Sequence, residues 1–478
     1  MNLQFLLDGY VQSPPVQQLA EAILLPKGQK ILCTKMAGSY AAVLFSALYQ
    51  RNDLNGLNHV IILEDAEEAA YFHNDLEQLI HPIDLFYFPS SFKTNKNFRI
   101  QSSSHVMLRT EALTRLAGGG NRKIIVTYPE ALMEKVSTAE SLSTNIISIK
   151  VNDRLDTDHV MEKLVGYGFE RADFVYEPGQ FAMRGGIFDI YSFGNEKPYR
   201  VELFGQDVDS IRIFDPETQL SERKLLQVNI IPNADAAYEG GEKIDLFSLI
   251  PENTIIYTSH WQLFMDRYRD HEDNLNLYLG QPHQPTDTKD TDEKHAEPDP
   301  EGFTPFERME LAMEKRTIVE MAATATIPSP GIVLTFDIAP QPSFNRQFEL
   351  LIKDLKAHEA AKKQLYIFAE NPKQLERLYS IFADLKAEIQ FVPVPTAIHQ
   401  GIIDKDKGIV VYTDHQIFQR YHKYKIKQAY NKSKAITLRA LKELQPGDFV
   451  VHIDHGVGVF SGLQKVQNGG QTQEAVRI

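Results

Sequence analysis

The fold of this chain is decided by one stretch, which reads Gly179-Gln180-Phe181-Ala182-Met183-Arg184-Gly185-Gly186-Ile187-Phe188-Asp189-Ile190-Tyr191-Ser192-Phe193-Gly194-Asn195-Glu196-Lys197-Pro198-Tyr199-Arg200-Val201-Glu202-Leu203-Phe204-Gly205. Short runs of β-branched and aromatic residues alternate in it with the turn signals Gly-Asn, Lys-Pro and Gly-Gln-Asp, and an Asp-Pro turn follows at residues 215–216. This pattern predicts a β-meander.

Side chains alternate along the middle strand of this meander. Val201 and Leu203 point to one side and form the natural core pair, so Arg200 and Phe204 share the outward face, about 13 Å apart. An arginine and an aromatic ring out of phase with the core are typical of a protein-docking surface. In the alternative interpretation, Phe204 tucks under the following turn and Arg200 is an ordinary solvated side chain.

The stretch closely resembles the second domain shared by the excision-repair protein UvrB and the transcription-repair coupling factors. In that family the segment is the docking surface for UvrA. Arg184, Arg200 and Phe204 fall at the UvrA-contacting positions of the coupling factors, with each residue type unchanged. The resemblance therefore implies that these three residues bind UvrA, with Arg184 at the beginning of the first strand and both others on the second.

Bulk composition describes a globular protein of several domains. A chain of 478 residues with 43% hydrophobic and 24% charged residues predicts three to five domains. Its one cysteine, Cys33, excludes disulfides within the chain and a Cys-ligated metal site, and fits a reducing cytoplasm. We expect no membrane contact, because residues 1–25 contain no long apolar run. A net charge of −14 argues against nucleic acid binding over the whole surface.

Residues 1–128 alternate apolar strands with amphipathic helices, which predicts a doubly wound α/β sheet. The expected strands are Lys30–Cys33, His59–Leu63, Ile83–Phe88 and Lys123–Thr127. The first strand-to-helix turn is where a phosphate-binding loop belongs, but of the G-x-x-x-x-G-K-[ST] pattern only Gly38 is kept. Cys33 replaces the first glycine, Ser39 the lysine and Tyr40 the magnesium-binding hydroxyl. We expect the turn to be a degenerate, non-functional nucleotide loop.

The family resemblance covers the chain in order and implies its domains. It indicates a degenerate RecA/UvrB-like lobe formed by residues 1–128 and 233–345, with the UvrA-binding domain, 129–232, inserted as an α+β unit. After Phe88-Pro89-Ser90-Ser91-Phe92 only a polar stretch precedes the next helix, whereas UvrB carries a long aromatic hairpin there. A small α/β domain of unassigned function follows at 346–418. Residues near 281–302 are acidic and Pro-rich, so we predict disorder.

Two basic or glycine-rich segments end the chain. Residues 419–445 are strongly basic and predict a solvated connecting helix, with contact to a DNA backbone as the alternative. Residues 446–478 resemble the start of the polymerase-interacting module of coupling factors and CarD-type regulators, a partial SH3/Tudor-like β-barrel that we expect to be cut short at Ile478. The resemblance implies binding to the RNA polymerase β subunit through Val451, His452, His455, Gly456, Gly458 and Leu463.

Neither a metal nor a cofactor is expected, because strand alternation places His452 and Asp454 on the face opposite His455. The function that the resemblance implies is recruitment, which links a stalled RNA polymerase to UvrA and to nucleotide excision repair. The full-length family proteins are ATP-dependent DNA translocases, and we expect no hydrolysis in the present region. The alternatives are a UvrB-type DNA-loading ATPase and a CarD-like transcription regulator.

Overall fold

The fold is described from a computed structural model. The described residues are 2–26, 28–81, 84–94, 97–234, 242–280, 300–424, 447–452, 456–468 and 471–477. Most of the predicted acidic segment (281–302) and most of the predicted basic helix (419–445) lie outside them, at residues 281–299 and 425–445.

The chain begins with two short helices and an α/β unit. Its elements are α1 (Asn2–Val11), α2 (Pro14–Ile23), β1 (Lys30–Thr34), α3 (Tyr40–Tyr49), a 3-10 helix (Asn52–Leu54), β2 (Asn58–Ile62), α4 (Ala66–Ile80), β3 (Leu85–Tyr87), β4 (Phe92–Thr94), β5 (Asn97–Gln101), α5 (Ser103–Ala117), β6 (Ile124–Thr127), α6 (Pro129–Met133), β7 (Val136–Ser137) and α7 (Ala139–Thr144).

An antiparallel unit follows, with β8 (Ile147–Lys150), α8 (Thr157–Gly166), β9 (Glu170–Arg171), β10 (Gln180–Arg184), β11 (Ile187–Ile190), β12 (Tyr199–Phe204), β13 (Asp207–Phe214), β14 (Ser221–Leu225) and β15 (Gln227–Ile230). Strands β9 to β14 form one six-stranded sheet in sequence order. The predicted meander is therefore present. Its inner face packs on α8, around buried residues that include Phe188 and Val201.

The chain then returns to α/β structure, with β16 (Lys243–Ile244), α9 (Leu246–Leu249), β17 (Thr254–Thr258), α10 (Trp261–Leu279), a second 3-10 helix (Pro300–Gly302), α11 (Phe306–Glu314), β18 (Ile318–Met321), β19 (Ile332–Thr335) and β20 (Ile338–Pro340). Strands from both parts build one parallel sheet of seven strands, in the order β19-β1-β18-β17-β2-β6-β3. In this sheet β1 lies between β18 and β19, two strands that follow the antiparallel unit in the sequence.

The remaining elements are α12 (Phe348–Ala360), β21 (Gln364–Phe368), α13 (Pro372–Asp384), β22 (Val392–Val394), β23 (Ile402–Asp404), β24 (Ile409–Thr413), α14 (Asp414–Ile417), β25 (Phe449–His452), β26 (Gly456–Val459), β27 (Gly462–Asn468) and β28 (Gln471–Arg477). A mixed sheet of order β20-β23-β24-β21-β22 forms the small α/β unit. The unit includes strand β20, which precedes residue 346, the predicted first residue of this domain.

One sequence expectation needs correction, and one is not tested. The polar stretch after Phe92 contains a short hairpin, β4–β5, whose Phe98 is buried against the rings of His271, Tyr278 and Phe303. In the described C-terminal residues, β25–β26 and β27–β28 are separate two-stranded sheets, so no barrel is seen there. None of the described helices is both long and apolar enough to cross a membrane.

Candidate functional site

One face of the six-stranded sheet brings the predicted docking residues together. Cross-strand partners share a face, and the register pairs Arg184 with Ile187 and Asp189 with Arg200. Phe204 ends β12 on the same side, as alternation from Arg200 requires. We call the set Arg184, Ile187, Asp189, Arg200 and Phe204 the docking face.

A buried carboxylate holds both arginines of the docking face. Asp189 is fully buried, and its Oδ1 and Oδ2 accept hydrogen bonds from Nε and Nη2 of Arg200 at 2.8 and 2.9 Å. Oδ2 also accepts a hydrogen bond from Nη2 of Arg184 at 2.5 Å. A buried charge of this kind requires paired partners, and here two guanidinium groups share one carboxylate. Hydrogen bonding to Asp189 raises the pKa of Arg200.

Aromatic rings and backbone carbonyls fix the two guanidinium groups further. The Arg184 guanidinium lies 4.4 Å from the centre of the Phe174 ring, and that of Arg200 lies 4.4 Å from the centre of the Phe214 ring. Arg184 donates to the Asp173 carbonyl at 2.6 Å, and Arg200 to the Gln219 carbonyl at 3.0 Å. The β9–β10 connection and the β13–β14 turn therefore cover part of the outward face of the sheet.

Phe204 is the most prominent apolar side chain of the docking face. It is 84% exposed, so it does not tuck under the following turn. The Arg200 side chain is only 14% exposed and that of Arg184 is 33% exposed. The expectation that Arg200 stands out beside Phe204 is therefore wrong, because Asp189 and Phe214 draw its guanidinium inward. Arg184 lies at the end of β10 rather than at the beginning of the first strand.

Sequence reasoning missed Asp189. The available signal was a carboxylate within the otherwise apolar run of β11, on the face opposite Phe188. Such a residue predicts a buried cationic partner, but only the strand register identifies that partner as Arg200.

The predicted nucleotide turn is covered by the small α/β unit. Cys33 and Tyr40 are buried, and the Ser39 backbone N–H donates to the Gln400 carbonyl at 3.3 Å. Gly38 has a φ of +56°, and a Cβ atom there would lie 2.5 Å from the Gly401 carbonyl oxygen. The backbone N–H groups of Lys35, Met36 and Ser39 are thus engaged with protein carbonyls. Residues 400–401 lie directly against the turn.

A second buried carboxylate, Asp75 of α4, joins the turn to the small unit. Its Oδ2 accepts from the Ser39 hydroxyl at 2.6 Å, and its Oδ1 accepts from the His399 backbone N–H at 2.7 Å. Gln400 N–H in turn donates to Ser39 Oγ at 2.9 Å. Burial raises the pKa of Asp75 to about 7, because no cation compensates the lost hydration.

The predicted polymerase-binding residues fall on the C-terminal hairpins. Val451 pairs with Val457 and His452 with Gly456 across β25–β26, Gly458 pairs with Val450, and Leu463 lies on β27. His455 lies outside the described residues. In the described part of the chain, no group of three His, Cys, Asp or Glu side chains is arranged to hold a metal ion.

An exposed ring on the same β-sheet face as two fixed guanidinium groups is typical of a protein-docking surface. Residues 147–235 match the UvrB interaction domain, and residues 444–478 match the CarD-like/TRCF RID domain. The chain is 23% identical to the transcription-repair-coupling factor of Staphylococcus aureus strain bovine RF122 / ET3-1, over 94% of the chain and 43% of that protein. It is 24% identical to the same factor of Staphylococcus haemolyticus strain JCSC1435, with the same coverage.

These matches confirm the resemblance found in the sequence. The chain is similar, over nearly its whole length, to the N-terminal region of transcription-repair-coupling factors, and it spans less than half the length of these relatives.

The inward position of Arg200 predicts different stability effects for two docking-face variants. Arg200→Ala removes charged hydrogen bonds to Asp189 and should lower the free energy of unfolding by about 2 kcal/mol. Phe204→Ala removes an exposed ring and should change it by less than about 0.5 kcal/mol. Thermal and urea melts of both variants measure this. Equal melting temperatures for wild type and Arg200→Ala would contradict the described ion pair.

The raised pKa of Asp75 predicts a pH dependence of stability. The folded state holds a proton on Asp75 up to about pH 7, whereas the unfolded carboxyl loses it near pH 4. The contribution of this group is therefore present below about pH 4 and is lost as the pH rises to about 7. Asp75→Asn cannot titrate, so it should gain stability relative to wild type between pH 5 and pH 8. Urea melts at both pH values, with the exposed Glu67→Gln on the same helix as control, measure the difference. A pH-independent difference would contradict the prediction.

Proposed function

We propose that this chain is a recruitment region for transcription-coupled repair, which binds UvrA through the docking face and RNA polymerase through residues 446–478. One observation carries the proposal: within the UvrB interaction domain, an 84%-exposed phenylalanine lies on the same face of the sheet as two arginines that Asp189 holds in place. Aromatic and arginine side chains in such a setting are the residues in which interfaces concentrate their binding energy. The sequence resemblance supplies UvrA as the partner.

The polymerase-binding part of the proposal rests on the CarD-like/TRCF RID match at residues 444–478. Its expected partner is the β subunit, with Val451, His452, His455, Gly456, Gly458 and Leu463 as the contact residues. An SH3/Tudor-like barrel is the fold we propose for this module. Contact with DNA belongs, in this proposal, to the full-length family protein.

For the α/β lobe, we propose a RecA/UvrB-like fold that has lost its nucleotide chemistry. The phosphate-binding lysine and the magnesium-binding hydroxyl of the Walker pattern are replaced, and the N–H group of Ser39 is already bonded to Gln400. This arrangement disfavours the UvrB-type ATPase. A CarD-like regulator would use the C-terminal module alone and leave the docking face without a role.

The domain boundaries proposed from the family are those given above, with two refinements. We place the beginning of the inserted domain near residue 147 rather than 129, because Leu132, Met133 and Val136 are buried in the core of the α/β lobe. The small α/β unit of unassigned function includes β20, because Ile338–Pro340 pairs with β23. We propose that this unit supports the lobe by occupying the former nucleotide turn.

UvrA binding is the first test of this function. The chain should bind UvrA without nucleotide, and Phe204→Ala should weaken binding by about 2 kcal/mol or more, because the ring is an exposed anchor. Leu226→Ala is the matched control, since Leu226 is also 84% exposed and lies between the strands β14 and β15. Calorimetric titration measures all three proteins. Equal losses for both variants, or no binding by wild type, would contradict the docking face.

ATP turnover is the second test. The chain should bind ATP no better than at about millimolar concentration and should not hydrolyse it, because the groups that hold the phosphates and magnesium are replaced. A coupled phosphate-release assay measures turnover, with Ser39→Ala as the variant that separates the chain from a contaminant. Turnover that follows the chain through purification and changes in Ser39→Ala would favour the ATPase alternative.

A further inference from the structure

The two arginines of the docking face differ in how many of their donors remain available. A guanidinium group carries five N–H donors. Arg200 uses Nε and Nη2 on Asp189 and Nη1 on the Gln219 carbonyl, and its side chain is 14% exposed. Arg184 uses one donor on Asp189 and one on the Asp173 carbonyl, and it is 33% exposed. Arg184 therefore offers the larger free donor surface to a partner.

Asp189 determines where both groups lie. It is a direct cross-strand partner of Arg200, and its second oxygen reaches Arg184 at the end of the neighbouring strand. Because the carboxylate is fully buried, its position is fixed by the sheet rather than by solvent. The Arg200 fork holds the carboxylate in the orientation in which Oδ2 meets Arg184.

We propose that Asp189 is the positioning residue of the docking face and that it divides the roles of the two arginines. Arg184 contacts the partner, whereas Arg200 acts through Asp189 by holding it in place. This inference rests on the proposed function, and it replaces the view that both arginines contact UvrA.

The same geometry defines the chemistry of the partner surface. Arg184 lies between two apolar groups, the Phe174 ring stacked on its guanidinium and its cross-strand neighbour Ile187, which are 48% and 36% exposed. Phe204 follows along the same face. Asp189 balances one of the two guanidinium groups, and the ion pair of Arg212 with Glu202 on the same face balances itself. These groups together carry one net positive charge. The matching site on UvrA is an acidic side chain flanked by apolar pockets that receive Phe204 and Ile187.

The test measures UvrA affinity for the variants Arg184→Ala, Arg200→Lys, Asp189→Asn and Phe204→Ala, each with its thermal melt. Arg184→Ala should weaken binding about tenfold or more, because a direct charged contact is lost. Arg200→Lys keeps a cation beside Asp189 but loses the bidentate fork and the stacking on Phe214. It should therefore weaken binding by about threefold, clearly less than Arg184→Ala does. Asp189→Asn should weaken binding about tenfold, but it should add little in the Arg184→Ala background, because residues that act through one another are not additive. The effect of Asp189→Asn on UvrA affinity should, in contrast, add to the effect of Phe204→Ala.

The outcomes separate this inference from the proposed function. No UvrA binding by wild type, or unchanged binding by Phe204→Ala, overturns the proposed function itself. A different outcome overturns only the division of roles: Phe204→Ala weakens binding, but Arg200→Lys weakens it as strongly as Arg184→Ala does. Full additivity of Asp189→Asn and Arg184→Ala does the same. If Asp189→Asn does not fold, the comparison of UvrA affinity between Arg200→Lys and Arg184→Ala is sufficient to test the division of roles.

Discussion

The structure depends on the pairing of β1, which lies between β18 and β19 in the parallel sheet. Lys30 pairs with Ile318 and Ile31 with Ile332, so strands separated by almost 300 residues must meet before the lobe is complete. The antiparallel unit is consequently held at both of its ends by one sheet. This constraint shows how an antiparallel unit can be inserted into an α/β lobe without dividing the core of the lobe.

The parts of the fold that follow from local patterning could be predicted from sequence. The buried strand Thr254–Thr258 and the alternation of Val201 with Phe204 require only neighbouring residues, and the structure has both. Strand β20 could not be assigned to its sheet from sequence, because its partner strand β23 is more than 60 residues away. The packing of Gln400 and Gly401 on the nucleotide turn could not be predicted either, since no local sequence signal joins residues 38 and 401.

The docking face shows the same contrast between features that local pattern predicts and features that depend on distant residues. Alternation was sufficient to place Phe204 outward, because the rule concerns only the strand itself. It was insufficient for Arg200, whose environment depends on Asp189 from one neighbouring strand and Phe214 from the other. A long cationic side chain follows its charge partner, so its direction is a tertiary property. Resemblance to a family pointed to these positions, and the register adds the basis on which we propose that one arginine contacts the partner and the other supports it.

The central claim is that this region recruits UvrA through one face of the six-stranded sheet. Amide hydrogen–deuterium exchange of the chain, alone and with a saturating amount of UvrA, tests it most directly, because the measurement does not depend on any variant. The account predicts slower exchange at residues 184–188 and 202–206, where β10, β11 and β12 meet their turns, with the nucleotide turn at 35–39 unchanged. Protection confined to the α/β lobe, or absent from β10 to β12, would contradict it.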